Sequence, residues 1–390
     1  MRLTGTTAMG IRLPIISSND DVVSIVTDHV LQVVNAQGSK LADSDIIAVT
    51  EGIVAKAEGN FAKISAIGED VKAKFGGGEI GLVYPILSRN RFLNILKGVV
   101  QGAEKVHILL SYPHDEVGNP IMDLDILDEV NDKLGGRMVT AKEFREVAGI
   151  YKLLFTDVDY VKLYEDASDN VKIYFSNDPR DILKITKNVL VAEIHNRDRT
   201  KARLLKAGAE KVFTLSDILS TSVNGSGFHS KYGVLGSNLS SDDVLKLFPN
   251  KAQEFVNAVQ ARIKEKTGIA PEVMVYGDGA FKDPLCGIWE LADPVVSPGY
   301  TKRLGQQPME IKMKLVADSV FNNLSGDEKR QAVTDLIKDK ASNPTAYREG
   351  TTPRIYADLV GSLCDLMGGS GDKGTPVMLI QGYFDDYSIE

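Results

Sequence analysis

The chain has 390 residues, 43% of them hydrophobic and 25% charged, which is too apolar for a disordered chain and long enough for two or three domains. Its 53 acidic residues outnumber 45 basic ones for a net charge of −8, so the overall field repels polyphosphate backbones and nucleic-acid binding is not expected. The two cysteines, Cys286 and Cys364, are far apart and make no CxxC pair, which excludes a disulfide framework or a thiolate zinc site within one chain.

The N-terminal residues lack a cationic start followed by a sustained apolar stretch, and no apolar run reaches the ~18 residues of a bilayer span. A soluble, cytoplasmic protein with no membrane partner is expected.

In chain order, Ile11 to Ile16 is an apolar run broken by Pro14, and Asp20 to Val34 carries helical spacing after a cap at Ser18 or Asn19. Asp45 to Val49 reads as a buried strand that runs directly into Thr50-Glu51-Gly52-Ile53-Val54-Ala55-Lys56-Ala57-Glu58-Gly59. Ser88 to Lys97 is helix-like and Val106 to Leu110 strand-like, with turn chemistry behind it in Pro113 and Gly118-Asn119-Pro120. Val189 to Ile194, Arg197 to Ala207 and Lys211 to Thr214 form a βαβ pattern. The preceding Tyr151 to Ser176 has no Gly-x-Gly-x-x-Gly turn, so this unit is read as scaffold.

A Ser/Gly/Asn-rich stretch, Ser222 to Ser241, precedes a long amphipathic helix from Lys251 to Lys266. Val273 to Tyr276 then delivers Gly277-Asp278-Gly279, read as a tight glycine turn. Further on come a helix near Met309 to Asn323, a polar stretch from Ser325 to Thr352, a helix from Ala357 to Met367, a Gly-rich turn and a final strand from Pro376 to Gln381.

Common signatures fail. There is no Gly-x-x-x-x-Gly-Lys-Ser/Thr loop and no His-Glu-x-x-His, and the one Gly-x-Gly-x-x-Gly, Gly369 to Gly374, follows a helix and precedes a strand, the reverse of the dinucleotide order. Its turn still offers backbone N–H groups beside Asp372 and Lys373, against the plainer reading of a connection. None of the five histidines is spaced for a shared metal site; His29 and His107 fall in apolar patterns, and His114 is the best exposed candidate. Asp278, at the end of a strand, is the carboxylate placed to share a hard cation with phosphate oxygens, with a plain hairpin turn as the other reading. Lys56 is placed either to neutralise a phosphate or to be one more solvated charge.

Leu13-Pro14-Ile15-Ile16 with Asp20-Asp21, then Asp43 to Thr50 leading into Ile53-Val54-Ala55-Lys56-Ala57-Glu58-Gly59, resembles the opening of the gamma-glutamyl ligase family of the deazaflavin coenzyme F-420. Gly233 to Asn238, Lys266-Thr267-Gly268 and Val275-Tyr276-Gly277-Asp278 resemble that family's central segments in the same order, and Ala357-Asp358-Leu359, Asp365 to Gly368 and Gly374 to Gly382 its close. The resemblance covers residues 8 to 110 and 226 to 384. On this basis the expected domains are a ligase-like core, 1–110 and 226–390, and an inserted α/β domain, 111–225.

The resemblance implies an α+β fold with mixed sheets and flanking helices, often as an intertwined homodimer. It implies a ligase that uses GTP (or ATP) with Mg²⁺ or Mn²⁺ to activate a small-molecule carboxylate as an acyl phosphate, which L-glutamate or another amine then attacks. Carried over by position, Leu13, Pro14, Ile15, Ile16, Glu51, Gly52, Lys56 and Asn238 would contact the nucleotide. Asp278 and, more weakly, Asp372 would hold metal, and Asp278 and Lys56 would act in catalysis. The chain departs from the family pattern at Leu235 (a metal aspartate there), at Glu51-Gly52 (a Ser-Lys pair), at Gly279 (a hydroxyl residue) and at Gln381 (an arginine). Asp242, Asp243 or His114-Asp115-Glu116 are alternative sources of ligands. The competing readings are a non-catalytic nucleotide-binding relative, acting as sensor or assembly partner, and a metal-dependent hydrolase.

Overall fold

The computed structural model describes residues 5–154, 156–278, 281–282, 289–290, 295–340, 354–368 and 373–388. The fold is α+β, and the chain divides into two compact units, residues 1–57 with 251–390 and residues 58–250.

The chain begins in the first unit with β1 (Thr7–Ile11), α1 (Val22–Ala36), β2 (Ile46–Thr50) and α2 (Glu51–Glu58). The second unit follows with β3 (Phe61–Lys63), α3 (Ile64–Phe75), β4 (Glu79–Val83), α4 (Phe92–Val99), β5 (Lys105–Leu110), α5 (Leu127–Leu134), β6 (Val139–Thr140) and α6 (Ala141–Ala148). It continues through α7 (Tyr160–Glu165), β7 (Val171–Phe175), β8 (Asn188–Val191), α8 (Arg197–Lys206), β9 (Lys211–Thr214), β10 (Asn238–Ser241) and β11 (Val244–Lys246). The first unit then resumes with α9 (Ala252–Thr267), β12 (Glu272–Asp278), the short pair β13 (Phe281–Lys282) and β14 (Trp289–Glu290), and β15 (Val295–Tyr300). It ends with α10 (Met313–Ser319), α11 (Gly326–Asp339), α12 (Tyr356–Gly368) and β16 (Val377–Gln381).

In the first unit the sheet order is β1-β16-β2-β12-β15. Only β2 and β12 run parallel; the other neighbours are antiparallel. Alternate residues of each strand serve opposite faces. Ile47, Val49, Val273, Val275, Val377 and Leu379 join the apolar faces of α1 and α9, whereas Ile46, Ala48, Met274, Tyr276, Met378 and Ile380 join Ala357, Val360 and Cys364 of α12. Because both faces are covered, the central strands are continuous apolar runs rather than alternating ones.

α1 starts later than expected: Asp21 is its cap, accepting a hydrogen bond from Ser24 N at 3.0 Å, because Asn19 takes a left-handed φ of 70° that no helix start uses. α9 ends on Gly268, whose φ of 77° closes the helix. The expected polar stretch after Ser325 contains α11, whose buried Val333 and Ile337 lie one turn apart on an otherwise charged helix.

The second unit holds a six-stranded sheet in the order β6-β7-β5-β4-β8-β9, all parallel except β6. Read from β4, the chain goes outward through β5 and β7, then crosses to the other side for β8 and β9, a doubly wound arrangement. The expected domain boundaries at 110/111 and 225/226 both fall inside this unit, because β4 and β5 pair directly with β8 and β7. The expected βαβ pattern is its β8-α8-β9 edge.

Candidate active site

Strand registers decide which distant segments meet in the first unit. Ile11 pairs with Val377, Val377 with Val49, and Thr50 with Tyr276. The carboxyl ends of β1, β2 and β12 and the start of β16 therefore share one end of the sheet, and Thr50 N donates to Pro376 O at 2.9 Å to tie two of them. Emerging there are the segment Leu13 to Ile16, Glu51 and Gly52 at the head of α2, and Gly277-Asp278. In an open sheet the region beyond the carboxyl ends of parallel strands is where ligands bind, since loops rather than paired backbone face it.

The segment 13–16 divides by exposure. Ile16 is buried at 3% and Leu13 packs partly buried against the core, whereas Pro14 is exposed and Ile15 is 89% exposed. The chain just beyond is pinned, with Ser17 N donating to Asp20 Oδ2 at 2.7 Å and Asn19 N to Ala57 O at 3.0 Å.

Glu51 is the best-defined polar group at this end. It is 4% exposed, and its Oε2 accepts from Thr50 Oγ1 at 3.0 Å. Its negative charge sits in the first turn of α2, where the helix dipole favours an anion by about 0.3–1 kcal/mol. The side chain lies against Gly277, where an added Cβ would stand 2.6 Å from Glu51 Cγ. Gly10 is a second close approach: a Cβ there would be 3.0 Å from Cβ of Thr375. Both glycines let side chains at the sheet end lie flat against backbone.

Asp278 is the last residue of β12, paired with Val295. Lys56 is exposed in the last turn of α2, five residues beyond Glu51 and so about 7.5 Å farther along the axis. Asp372 and Gly279 lie outside the described residues. Asn238 belongs to the second unit, opening β10 opposite Lys246 and following Ser237, which is 1% exposed. Leu235, also in that unit, is 7% exposed within its apolar cluster. Gln381 is at the opposite end of β16 from Pro376, where its Nε2 donates to Asp45 Oδ2 at 2.8 Å and Lys40 O at 3.0 Å.

The alternative acids serve the backbone. Asp115, buried in the second unit, accepts from Leu87 N, Val117 N and Asn119 N at 2.8–3.0 Å, and burial raises its pKa against these bonds. Glu116 accepts from Ile194 N and, at 3.1 Å, from His195 N. His114 is exposed, its Nδ1 2.7 Å from Asp115 O. Asp242 and Asp243 are exposed and line a shallow cleft with Lys97 and Gln101. His107 is buried with Nε2 3.3 Å from Glu79 Oε2. Among the described residues no group of three or more His, Cys, Asp or Glu is assembled to hold a metal ion.

The signal that identifies Glu51 is the pairing of a carboxylate directly after a buried strand with a glycine on a second buried strand; neither residue carries it alone. A covered mixed sheet with a pair of parallel strands, ending in a carboxylate and a helix start, makes this end of the first unit the candidate site on an α+β core. The family model described as F420-0:gamma-glutamyl ligase matches residues 10–382, and the chain belongs to that family. No curated protein matches the chain. No helix among the described residues is long and apolar enough to cross a membrane.

Proposed function

We propose that the chain is an amide ligase that consumes GTP or ATP with Mg²⁺ or Mn²⁺, activates a small-molecule carboxylate as an acyl phosphate, and joins it to the amino group of L-glutamate or a related amine. The observation that carries this reading is the meeting of Leu13–Ile16, Glu51–Gly52 and the Asp278 end of β12 at one end of the sheet, in a chain of this family. Pro14 and Ile15 would lie along the nucleotide, with Gly52 offering backbone N–H at the head of α2. Asp278 and Asp372 supply the hard oxygen donors that suit Mg²⁺ or Mn²⁺; bound there, the ion would neutralise phosphate charge. Lys56 completes the nucleotide contacts in this reading. The protein would work in the cytoplasm as a homodimer.

Thermal unfolding with GTP, ATP and GDP, each with and without Mn²⁺ or Mg²⁺, tests the proposal. A nucleotide at 100 times its dissociation constant adds about 2.7 kcal/mol to native stability, so a metal-dependent rise with one nucleotide is expected. No rise with any of them, in folded protein, would favour the non-catalytic relative.

A further inference from the structure

We infer that the second unit binds a small molecule by its primary ammonium group, in the crevice between the carboxyl ends of β4 and β8, with Glu193 as the counter-ion. The inference lies apart from the ligase reading and does not rest on it.

Strand order places the crevice. From β4 the chain moves to β5 and β7 on one side and returns to β8 and β9 on the other, so β4 and β8 are parallel neighbours whose connections leave in opposite directions. In a doubly wound sheet the loops part at such a point and open a ligand crevice beyond the strand ends. Tyr84 directly follows β4, and Glu193 lies two residues past the end of β8. Tyr84 holds a left-handed φ of 54°, which a large side chain rarely adopts outside functional or tightly determined positions. The turn it opens, Tyr84-Pro85-Ile86-Leu87, contains no glycine, so a pyrophosphate cannot lie against this backbone as it does in a dinucleotide site.

The acids around the crevice are matched except for one. Asp178 is held by Arg180 Nε at 2.9 Å and by Arg203 at 3.2 Å, and Asp181 by Ser176 Oγ at 2.6 Å and Lys184 Nζ at 2.7 Å. Glu116 accepts from the backbone N–H groups of Ile194 and His195. Glu193 is 7% exposed, and its one hydrogen bond among the described residues is accepted by Oε2 from the Thr200 hydroxyl of α8. Burial raises its pKa, with the charge of Glu116 adding to the effect, against the Thr200 bond and the charges of Arg203 and Arg199.

A carboxylate withdrawn from water without a cation bonded to it is costly, and an ammonium group brings a positive charge and three N–H donors together. Tyr84 supplies a second acceptor. Its hydroxyl donates to Ser176 O at 3.0 Å, which leaves the oxygen lone pairs to accept, and the charge of Glu193 acts on that hydroxyl. An anion would be repelled by Glu193, and a neutral hydroxyl would leave its charge uncompensated; an ammonium meets both acceptors.

The test is calorimetric titration of the full chain at neutral pH, without nucleotide or metal, with ethanolamine, putrescine and glycine, and with acetate and adenosine for comparison. At least one ammonium compound should bind and slow amide hydrogen exchange at residues 84 and 192–195. Glu193→Gln should weaken that binding about 10–100-fold, as expected for the loss of a hydrogen bond to a charged group. Without ligand, Glu193→Gln should melt at or above the wild-type temperature, because it removes a buried charge that no cation offsets. A lower melting temperature would make Glu193 a structural residue and overturn the inference. Binding of none of the ammonium compounds, affinity unchanged in Glu193→Gln, exchange protection confined to the first unit, or tighter binding of acetate or adenosine would each overturn it as well.

Discussion

Glu51, the first residue of α2 directly after β2, and Gly277, on the neighbouring parallel strand β12, fit as a pair: a Cβ on Gly277 would approach Glu51 Cγ to 2.6 Å. Real Cβ atoms do not come that close, so the glycine is required by the carboxylate beside it.

Gly277→Ala should therefore destabilise the protein by about 1–3 kcal/mol, the usual cost of overpacking. In Glu51→Ala/Gly277→Ala the cost at 277 should largely disappear, with a coupling energy of about 1 kcal/mol or more in a urea-unfolding cycle. Simple additivity would show that the two residues do not share the same space.

Asp278→Asn should abolish the Mn²⁺-dependent part of nucleotide stabilisation while leaving the melting temperature of metal-free protein close to wild type, since the amide is a far weaker ligand for a hard cation. Calorimetric titration of Mn²⁺ checks this directly, and unchanged affinity would remove Asp278 from the metal site.

Glu116→Ala should destabilise the second unit by about 1–2 kcal/mol, because the part-buried backbone N–H groups of Ile194 and His195 lose their acceptor, and a hydrogen bond to a charged group contributes about 1.5–3 kcal/mol before water replaces part of it. Glu116→Gln, which keeps an acceptor oxygen, should lose less. Hydrogen exchange at 194 and 195 provides a local readout of the same effect.

His229 gives stability a pH dependence of known sign. Burial pushes its pKa from the ordinary 6.5 down to about 4, and its Nδ1 accepts from Lys231 N at 3.2 Å and Tyr232 N at 3.0 Å, so the native state needs it neutral. The contribution is present above the unfolded pKa and is lost as pH falls from about 6.5 toward 4. Urea midpoints measured across that window should fall for wild type and fall less steeply for His229→Asn, which can accept but not titrate.

The amino-acid sequence alone determined the elements whose signal is local. The buried strands around Ile47, Val275 and Leu379 are apolar runs, α9 has its period and its glycine stop, and β9 spans the expected Lys211–Thr214. Elements with a diluted pattern were not legible, as with α11, whose two buried residues are set among charges. The division of the chain was decided by pairing: whether residues 79–110 go with what precedes or follows them depends on the strands β4 and β5 choose, and those lie far along the chain. The site has the same origin. Leu13, Glu51, Gly277 and Pro376 come from four separate stretches, each with its own local signal, but only the register of a sheet that buries both faces sets their four ends side by side. A one-residue slip would turn every core side chain to the wrong face, so packing of the whole sheet, rather than any motif, puts the buried carboxylate of Glu51 against the bare backbone of Gly277.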